Sequence, residues 1–212
     1  MASIESADIR DRVDRFRSEE KCRAYLEGLR WPDGVSCIRC GSKSVSRIRG
    51  RGQFDCNSCR HQFSVTAGTY LRDSHLPLWK WVLAVYLMAE SDGGASANQI
   101  KRAVGVSYKT AWHLCHRVRA AVERERGSNG GGLQRTVVGG VMQGAGNVRV
   151  QAVRGADRLN LGRYHKVSLK HLDAYLNELE WRFSNRDNPW VLRDTLTCLL
   201  SPGSLTYDDL TR

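Results

Sequence analysis

Acidic residues and proline are scarce in this 212-residue chain, which carries 22 Asp and Glu against 33 Lys and Arg and has four prolines. Long apolar runs are missing too. The longest, Leu76 to Ala89, is interrupted by Pro77 and Lys80 and falls short of the roughly 20 residues that cross a bilayer. Met1 to Arg10 has no apolar stretch, so a secretory signal peptide is not expected. These absences point to a soluble cytoplasmic protein, nucleoid-associated if it meets DNA, with no membrane partner. With 41% hydrophobic residues the composition is not that of a disordered chain and suits one or two modest cores. The acid deficit leaves a formal charge of +11 and a pI near 9.6, the balance expected of a protein with a polyanionic partner, nucleic acid above all.

Against that background the cysteines are grouped. Cys37-Ile-Arg-Cys40 is followed, after fifteen residues, by Cys56-Asn-Ser-Cys59. Two Cys-x-x-Cys pairs at this spacing are a strong zinc pattern, because four thiolates complete the tetrahedron of a closed structural site. One structural Zn²⁺ per chain is expected, on Cys37, Cys40, Cys56 and Cys59. A closed site leaves no position for water, so it should hold a fold together without doing chemistry. Disulfides would need an oxidising compartment that nothing else in the chain suggests. Cys22, Cys115 and Cys198 are left over and are expected to be buried free thiols.

Taken in order, Asp8 to Leu29 reads as one or two amphipathic helices, with Ser18 capping the second. Trp31-Pro-Asp-Gly34 is a turn into the first knuckle. Val45 to Arg51 and Gln53 to Asp55 can pair as a hairpin about Gly50-Arg51-Gly52, and Gln62 to Thr66 offers a further strand. This ribbon carries Arg39, Lys43, Arg47, Arg49, Arg51 and Arg60 against one acid, Asp55. Arg47, Arg49 and Arg51 are therefore candidate DNA contacts, with a solvated face that offsets the thiolate charge as the alternative. Leu76 to Ala89 is apolar nearly all round and predicts a helix buried on several sides.

Ser96 can cap a helix to Val104, Gly105 makes a turn, and Ser107 can cap another helix to about Arg124. Helix, glycine turn, helix is the helix-turn-helix outline. On the second helix Ala111, Leu114, Cys115, Val118 and Val122 form one apolar face, opposite Lys109, His113, His116 and Arg124 with Arg117 at the edge. Those five polar residues are candidate contacts to double-stranded DNA. An ordinary solvated helix could look the same. His113 and His116 lie three apart, but without a third ligand they read as two surface histidines.

Several strings resemble ISXO-type insertion-sequence transposases. They are Trp31-Pro-Asp-Gly with Cys37-x-x-Cys40-Gly41-Ser42, Gln53-Phe54 through Gln62-Phe63-Ser64-Val65-Thr66, Leu76-Pro77-Leu78-x-Lys80-Trp81, and Gly105-Val-Ser-Tyr-Lys-Thr-Ala-Trp112. The resemblance is dense from about Phe16 to Val122. It implies a zinc ribbon and a helical DNA-binding segment ahead of an RNase H-like domain, whose DDE-type acids bind divalent metal for strand transfer. Thr136 to Met142 and Val148 to Val153 alternate like two strands of that domain, and Tyr164 to Arg186 is similar to the family's C-terminal tail. Where the family's first acid belongs stands Gly127-Ser-Asn-Gly-Gly-Gly132, and the segment for the remaining acids is missing. Asp157 is the only carboxylate from Gly127 to Arg163, and two-metal phosphoryl chemistry needs several. Asp173 and Glu178 lie on a helix whose buried stripe is Leu169, Leu172, Leu176, Leu179 and Phe183, so solvated surface is their expected place.

The expected architecture is α+β in small modules: N-terminal helices over 1–34, a zinc ribbon over 35–70, a helix-turn-helix-like domain over 71–126, a Gly-rich linker over 127–134, and a degenerate remnant of an RNase H-like α/β domain over 135–212. The expected function is binding of element-end DNA, such as terminal repeats, without catalytic or cofactor-binding residues and with a full-length related transposase as a further partner. Two alternatives stay open. One is an active transposase or nuclease that completes its site with a partner chain, the other a zinc-ribbon protein-interaction adaptor.

Overall fold

Ser18 opens the first helix of the computed structural model, which describes residues 18–91, 94–128, 138–143, 147–154, 157–158 and 167–211. That helix, α1, spans Glu19–Arg30. The Ser18 hydroxyl accepts from the Lys21 N–H at 3.4 Å, and Glu19 and Glu20 sit in the first turn, where the helix dipole favours negative charge. Cys22 and Leu26, one turn apart, are fully buried. The earlier part of the expected helical segment lies outside the described residues.

Three short strands follow: β1 (Val45–Ile48), β2 (Gln53–Cys56) and β3 (Gln62–Ser64). They form an antiparallel sheet in that order. The register sets Phe54 opposite Phe63, with ring centroids 5.7 Å apart. Trp31 meets both rings edge-on, at 5.8 and 5.9 Å. Phe54 and Phe63 join Cys37 and Cys56 as the buried centre of the ribbon, with Trp31, Val35 and Val45 packed against it. Arg30 ties the end of α1 to the turn after β3. Its guanidinium donates to the carbonyls of Val65 at 2.6 Å and Ala67 at 2.8 Å, and lies 4.8 Å from the Trp31 ring.

The helices α2 (Leu78–Glu90), α3 (Ala97–Val104) and α4 (Tyr108–Ser128) come next. In α2 the residues Leu78, Trp81, Val82, Ala84, Val85, Tyr86 and Met88 are all buried, the all-round apolar helix that the sequence predicts. Ser96 and Gln99 make a reciprocal capping box on α3, and Gly105 ends it at φ +67°, a left-handed conformation that favours glycine. The chain continues through β4 (Val138–Gln143), β5 (Asn147–Arg154), β6 (Asp157–Arg158) and β7 (Val167–Ser168). β5 pairs antiparallel with the other three. A 3-10 turn, Leu169–His171, leads into α5 (Leu172–Ser184), and α6 (Val191–Leu200) and α7 (Tyr207–Thr211) close the described chain.

Two compact units result, Met1–Val85 with Arg193–Arg212, and Tyr86–Leu192. The first differs from the module boundaries read along the chain, because residues 193–212 group with the ribbon region. Pairing remote in sequence is responsible. Thr69 bridges Pro202, the Tyr70 N–H donates to the Leu199 carbonyl at 3.1 Å and the Gly203 N–H to the Gly68 carbonyl at 3.2 Å. A Cβ at Gly203 would lie 2.3 Å from the Tyr70 ring, so the close approach needs a residue without a side chain.

Arg30→Ala leaves partly buried carbonyls without their charged donor, a loss of about 2 kcal/mol by the usual worth of such bonds. Chemical denaturation of the zinc-loaded protein is expected to show it, and Arg30→Lys is expected to rescue only in part, because a single ammonium lacks the fork that reaches both carbonyls. Unchanged stability of Arg30→Ala would show that the α1 contact with the ribbon is incidental.

Candidate metal centre and nucleic-acid interface

The four cysteines of the two knuckles converge because the β1–β2 hairpin returns the chain to its starting point. Val45 is paired with Cys56, so the second knuckle leaves the sheet beside the chain that follows the first. The four Sγ atoms all lie within 4.8 Å of one another. Cys37 and Cys59 are 3.6 Å apart, as are Cys40 and Cys56. A disulfide would bring sulfurs to about 2 Å. Four sulfurs about 2.3 Å from a central ion stand about 3.8 Å apart in a regular tetrahedron, so the spacing is that of zinc ligands. The site fits one structural zinc per chain.

Backbone groups prepare the thiolates. The N–H of Cys59, then that of Ser58, against opposing desolvation, lowers the Cys56 thiol to about 6. Cys59 is driven the other way, to about 12: the His61 N–H lowers it, but burial and the three neighbouring thiols raise it. Four thiolates this close are held together by a dication. The remaining cysteines are buried, as expected, and burial pushes Cys115 up to about 12 and Cys22 up to about 11, which keeps them as inert thiols.

The candidate DNA residues scatter. Arg49 and Arg51 are exposed at the hairpin tip. Arg47, on β1, is ion-paired with Glu27 of α1 and lies 4.6 Å from the Phe54 ring, so it braces the ribbon against α1. Lys109 and Arg124 are exposed near the two ends of α4, and His113 is half-buried. His116 and Arg117 are corrections to the expected exposed face, because they are only 2% and 6% exposed. The helix is covered on that side as well as along its apolar stripe, since α5 comes back onto it. The Tyr175 ring of α5 faces His116 at 5.7 Å, and His171 lies 4.8 Å from it.

Glu178 is also corrected, from solvated surface to 4% exposed. Arg119, 1% exposed, donates through Nε to Glu178 Oε2 at 2.6 Å and lies over the Tyr175 ring at 3.8 Å. Arg182, one turn further along α5, comes within 3.4 Å of the other carboxylate oxygen. This carboxylate is thus shared by two guanidiniums. Asp173 remains exposed. In the expected stripe Leu176 and Leu179 are half-buried, and the side chains of Leu169, Leu172 and Phe183 lie outside the described residues. Two exposed features at the α3–α4 turn went unread in the sequence: Lys101 and Arg102 in the last turn of α3, and Tyr108, 50% exposed, at the start of α4. Their signal was available, since all three lie off the helices' buried positions.

A four-cysteine knuckle pair closing a three-stranded sheet defines a zinc-ribbon protein. Residues 17–62 match the family described as the transposase zinc-ribbon domain. The protein named "Uncharacterized protein in transposable element ISH50", from Halobacterium salinarum, is 32% identical over 117 residues, which make up 54% of this chain and 39% of that protein. The chain thus spans about two fifths of the relative's length. No solved structure matches it. Residues 17–62 are thus similar to transposase zinc ribbons, and the chain is similar over 117 residues to a protein of a transposable element. Among the described residues, no helix is long and apolar enough to cross a membrane.

Removing the metal tests the centre directly. Chelation, or Cys56→Ser, is expected to unfold the ribbon, with about one zinc per chain in the native protein by elemental analysis. A ribbon that stays folded without metal would contradict the assignment.

His116 gives a pH test. Burial first, then the charges of Arg119, His171 and His113, lowers it to about 3, and its Nε2 is buried with no hydrogen-bond partner among the described residues. Above about pH 6.5 the imidazole is neutral folded or unfolded, so it adds no pH dependence. As pH falls below that value the unfolded chain gains a proton that the folded one refuses, and stability declines toward about pH 3. Denaturation midpoints at about pH 7.5 and 5 are expected to differ more in the wild type than in His116→Phe. An equal difference in both would place the histidine in water.

Proposed function

We propose that this chain is a transposase-derived protein that binds duplex DNA at the ends of a mobile element and does not itself cut it. The observation that supports this best is how its charge is distributed. Described acids pair with Arg23, Arg47, Arg72, Arg119, Arg182, Arg186 and Arg193. Arg39, Lys43, Arg49, Arg51 and Arg60 of the ribbon are left exposed, and among the described residues their side chains form no ion pair. In the second unit α3, its left-handed Gly105 turn and α4 form a helix-turn-helix-like pair that exposes Lys101, Arg102, Tyr108 and Lys109 about the turn and Arg124 further along α4. Such groups suit phosphate contacts and a few base edges. His116 and Arg117 are not part of this surface.

The absence of cutting is argued from the carboxylates. Asp157 stands alone from Gly127 to Arg163, and Glu178 is held between two guanidiniums, where binding a metal would strip both of their counter-charge. Strands β4–β7 are, in this reading, a remnant of the RNase H-like domain. Bound to element ends, the chain would compete with a full-length relative or form inactive mixed assemblies with it.

Binding to a duplex is expected to weaken roughly 500-fold between 50 and 200 mM salt if about five phosphates are neutralised. Lys109→Ala should reduce both affinity and salt slope, whereas Arg117→Ala should act on the fold. With Mg²⁺ or Mn²⁺ no nicked or joined products are expected. Salt-independent binding would refute DNA recognition, and metal-dependent cleavage abolished by Asp157→Ala would refute the loss of catalysis.

A further inference from the structure

The hairpin tip Arg49-Gly50-Arg51-Gly52 holds two arginines that no acid or carbonyl of the described residues takes up; Arg39 and Arg60, exposed as well, belong to the two zinc knuckles. Arg23 is paired with Glu19, Arg47 with Glu27, Arg119 and Arg182 with Glu178, and Arg30 is taken up by backbone carbonyls. Arg49 and Arg51 are exposed, and among the described residues neither guanidinium has a hydrogen-bond or ion-pair partner. The backbone between them is tightly built. The Arg51 N–H donates to the Ile48 carbonyl at 3.5 Å, closing a four-residue turn with Gly50 third at φ +75°, as a type II turn demands. Gly52 follows at φ +61°, and the Arg23 guanidinium rests against it, since a Cβ there would be 2.5 Å from Arg23 Cζ. Around Gly50 there is open space within 4 Å.

The tip lies at the end of the sheet away from the zinc ligands. Ile48 pairs with Gln53, and Val45 with Cys56, so the tip projects about 13 Å beyond the knuckle at the usual rise per strand residue. The result is a narrow finger whose glycines carry no side chain, with two uncommitted guanidiniums and a base fixed by metal.

We propose that this tip is a minor-groove reader of A/T-rich duplex, with Arg49 and Arg51 as the inserted groups. The inference rests on the reading that the chain binds DNA, and adds the groove and the sequence class. A minor groove about 6 Å wide excludes a helix of about 10 Å diameter but admits a guanidinium and glycine backbone. A·T runs narrow that groove and deepen its negative potential. Arginine is preferred there to lysine because its delocalised charge is more weakly hydrated and loses less on entering.

The test compares the full zinc-loaded chain with its Arg49→Lys/Arg51→Lys variant, which keeps the charge, on two duplexes of equal length and salt. One carries a run of A·T pairs, the other a G·C-rich run, and netropsin serves as a minor-groove competitor. Wild type is expected to prefer the A·T duplex about tenfold, the order of one mismatched pair in a site, and to be displaced by netropsin. The variant should lose that preference, hold the G·C duplex within about threefold of wild type, and keep its zinc content and melting temperature. Equal wild-type affinity for both duplexes, a preference that survives in the variant, or indifference to netropsin would overturn this assignment while leaving duplex binding intact. Failure to bind either duplex at low salt would overturn both it and the proposed function.

Discussion

Four thiolates gathered around one dication hold the first part of this molecule together. The ribbon has strands of only three or four residues, and its buried centre is two phenylalanines and two of the zinc ligands themselves. A core of that size cannot offset the entropy of ordering the segment. Metal binding provides the deficit, because ligation free energy is folding free energy when the site does not exist in the unfolded chain. What surrounds the cluster depends on it. The Phe54–Phe63 stack, the Trp31 edge contacts and the Arg30 bonds that join α1 to the ribbon all require the sheet that the knuckles close.

The second unit uses charge differently. Arg119 and Glu178 are both almost wholly buried and are joined by a 2.6 Å hydrogen bond, with Arg182 close to the same carboxylate. Deleting one member of such a group would strand charge in a low-dielectric interior and be costly, although an apolar replacement of the whole group need not be. The group fixes how α5 sits on α4, and with it the burial of His116 beside Trp112, His171 and Tyr175. The side of α4 at His116 and Arg117, which looks basic in sequence, is thereby covered, while Lys109 and Arg124 near the helix ends stay exposed.

Much of this was legible in the sequence where the physics is local. The knuckle spacing, the caps at Ser18 and Ser96, the left-handed Gly105 and the apolar stripe of α4 each depend on residues a few positions apart. What was misread depends on distance along the chain. Arg119 and Glu178 are 59 residues apart, so neither's burial has a local signal, and an arginine on a helix reads as solvated until its partner is known. Arg47 reads as a free cation because Glu27, its partner, lies outside the ribbon's own residues. The return of residues 193–212 to the region of Thr69 and Tyr70 is also long-range, though α6 itself had a signal in Val191, Leu196 and Leu199 after Asn188-Pro189. At the candidate DNA surface, composition showed the excess of positive charge but not which cations the acids had already taken.

A dependence of DNA binding on the ribbon, and of the ribbon on its metal, is tested most directly by duplex affinity and its salt slope before chelation, after it, and after zinc is returned. Loss of zinc should weaken binding and flatten the slope, because the ribbon's exposed arginines no longer act as one surface, and readdition should restore both. Identical affinity and slope in the metal-free chain would contradict it.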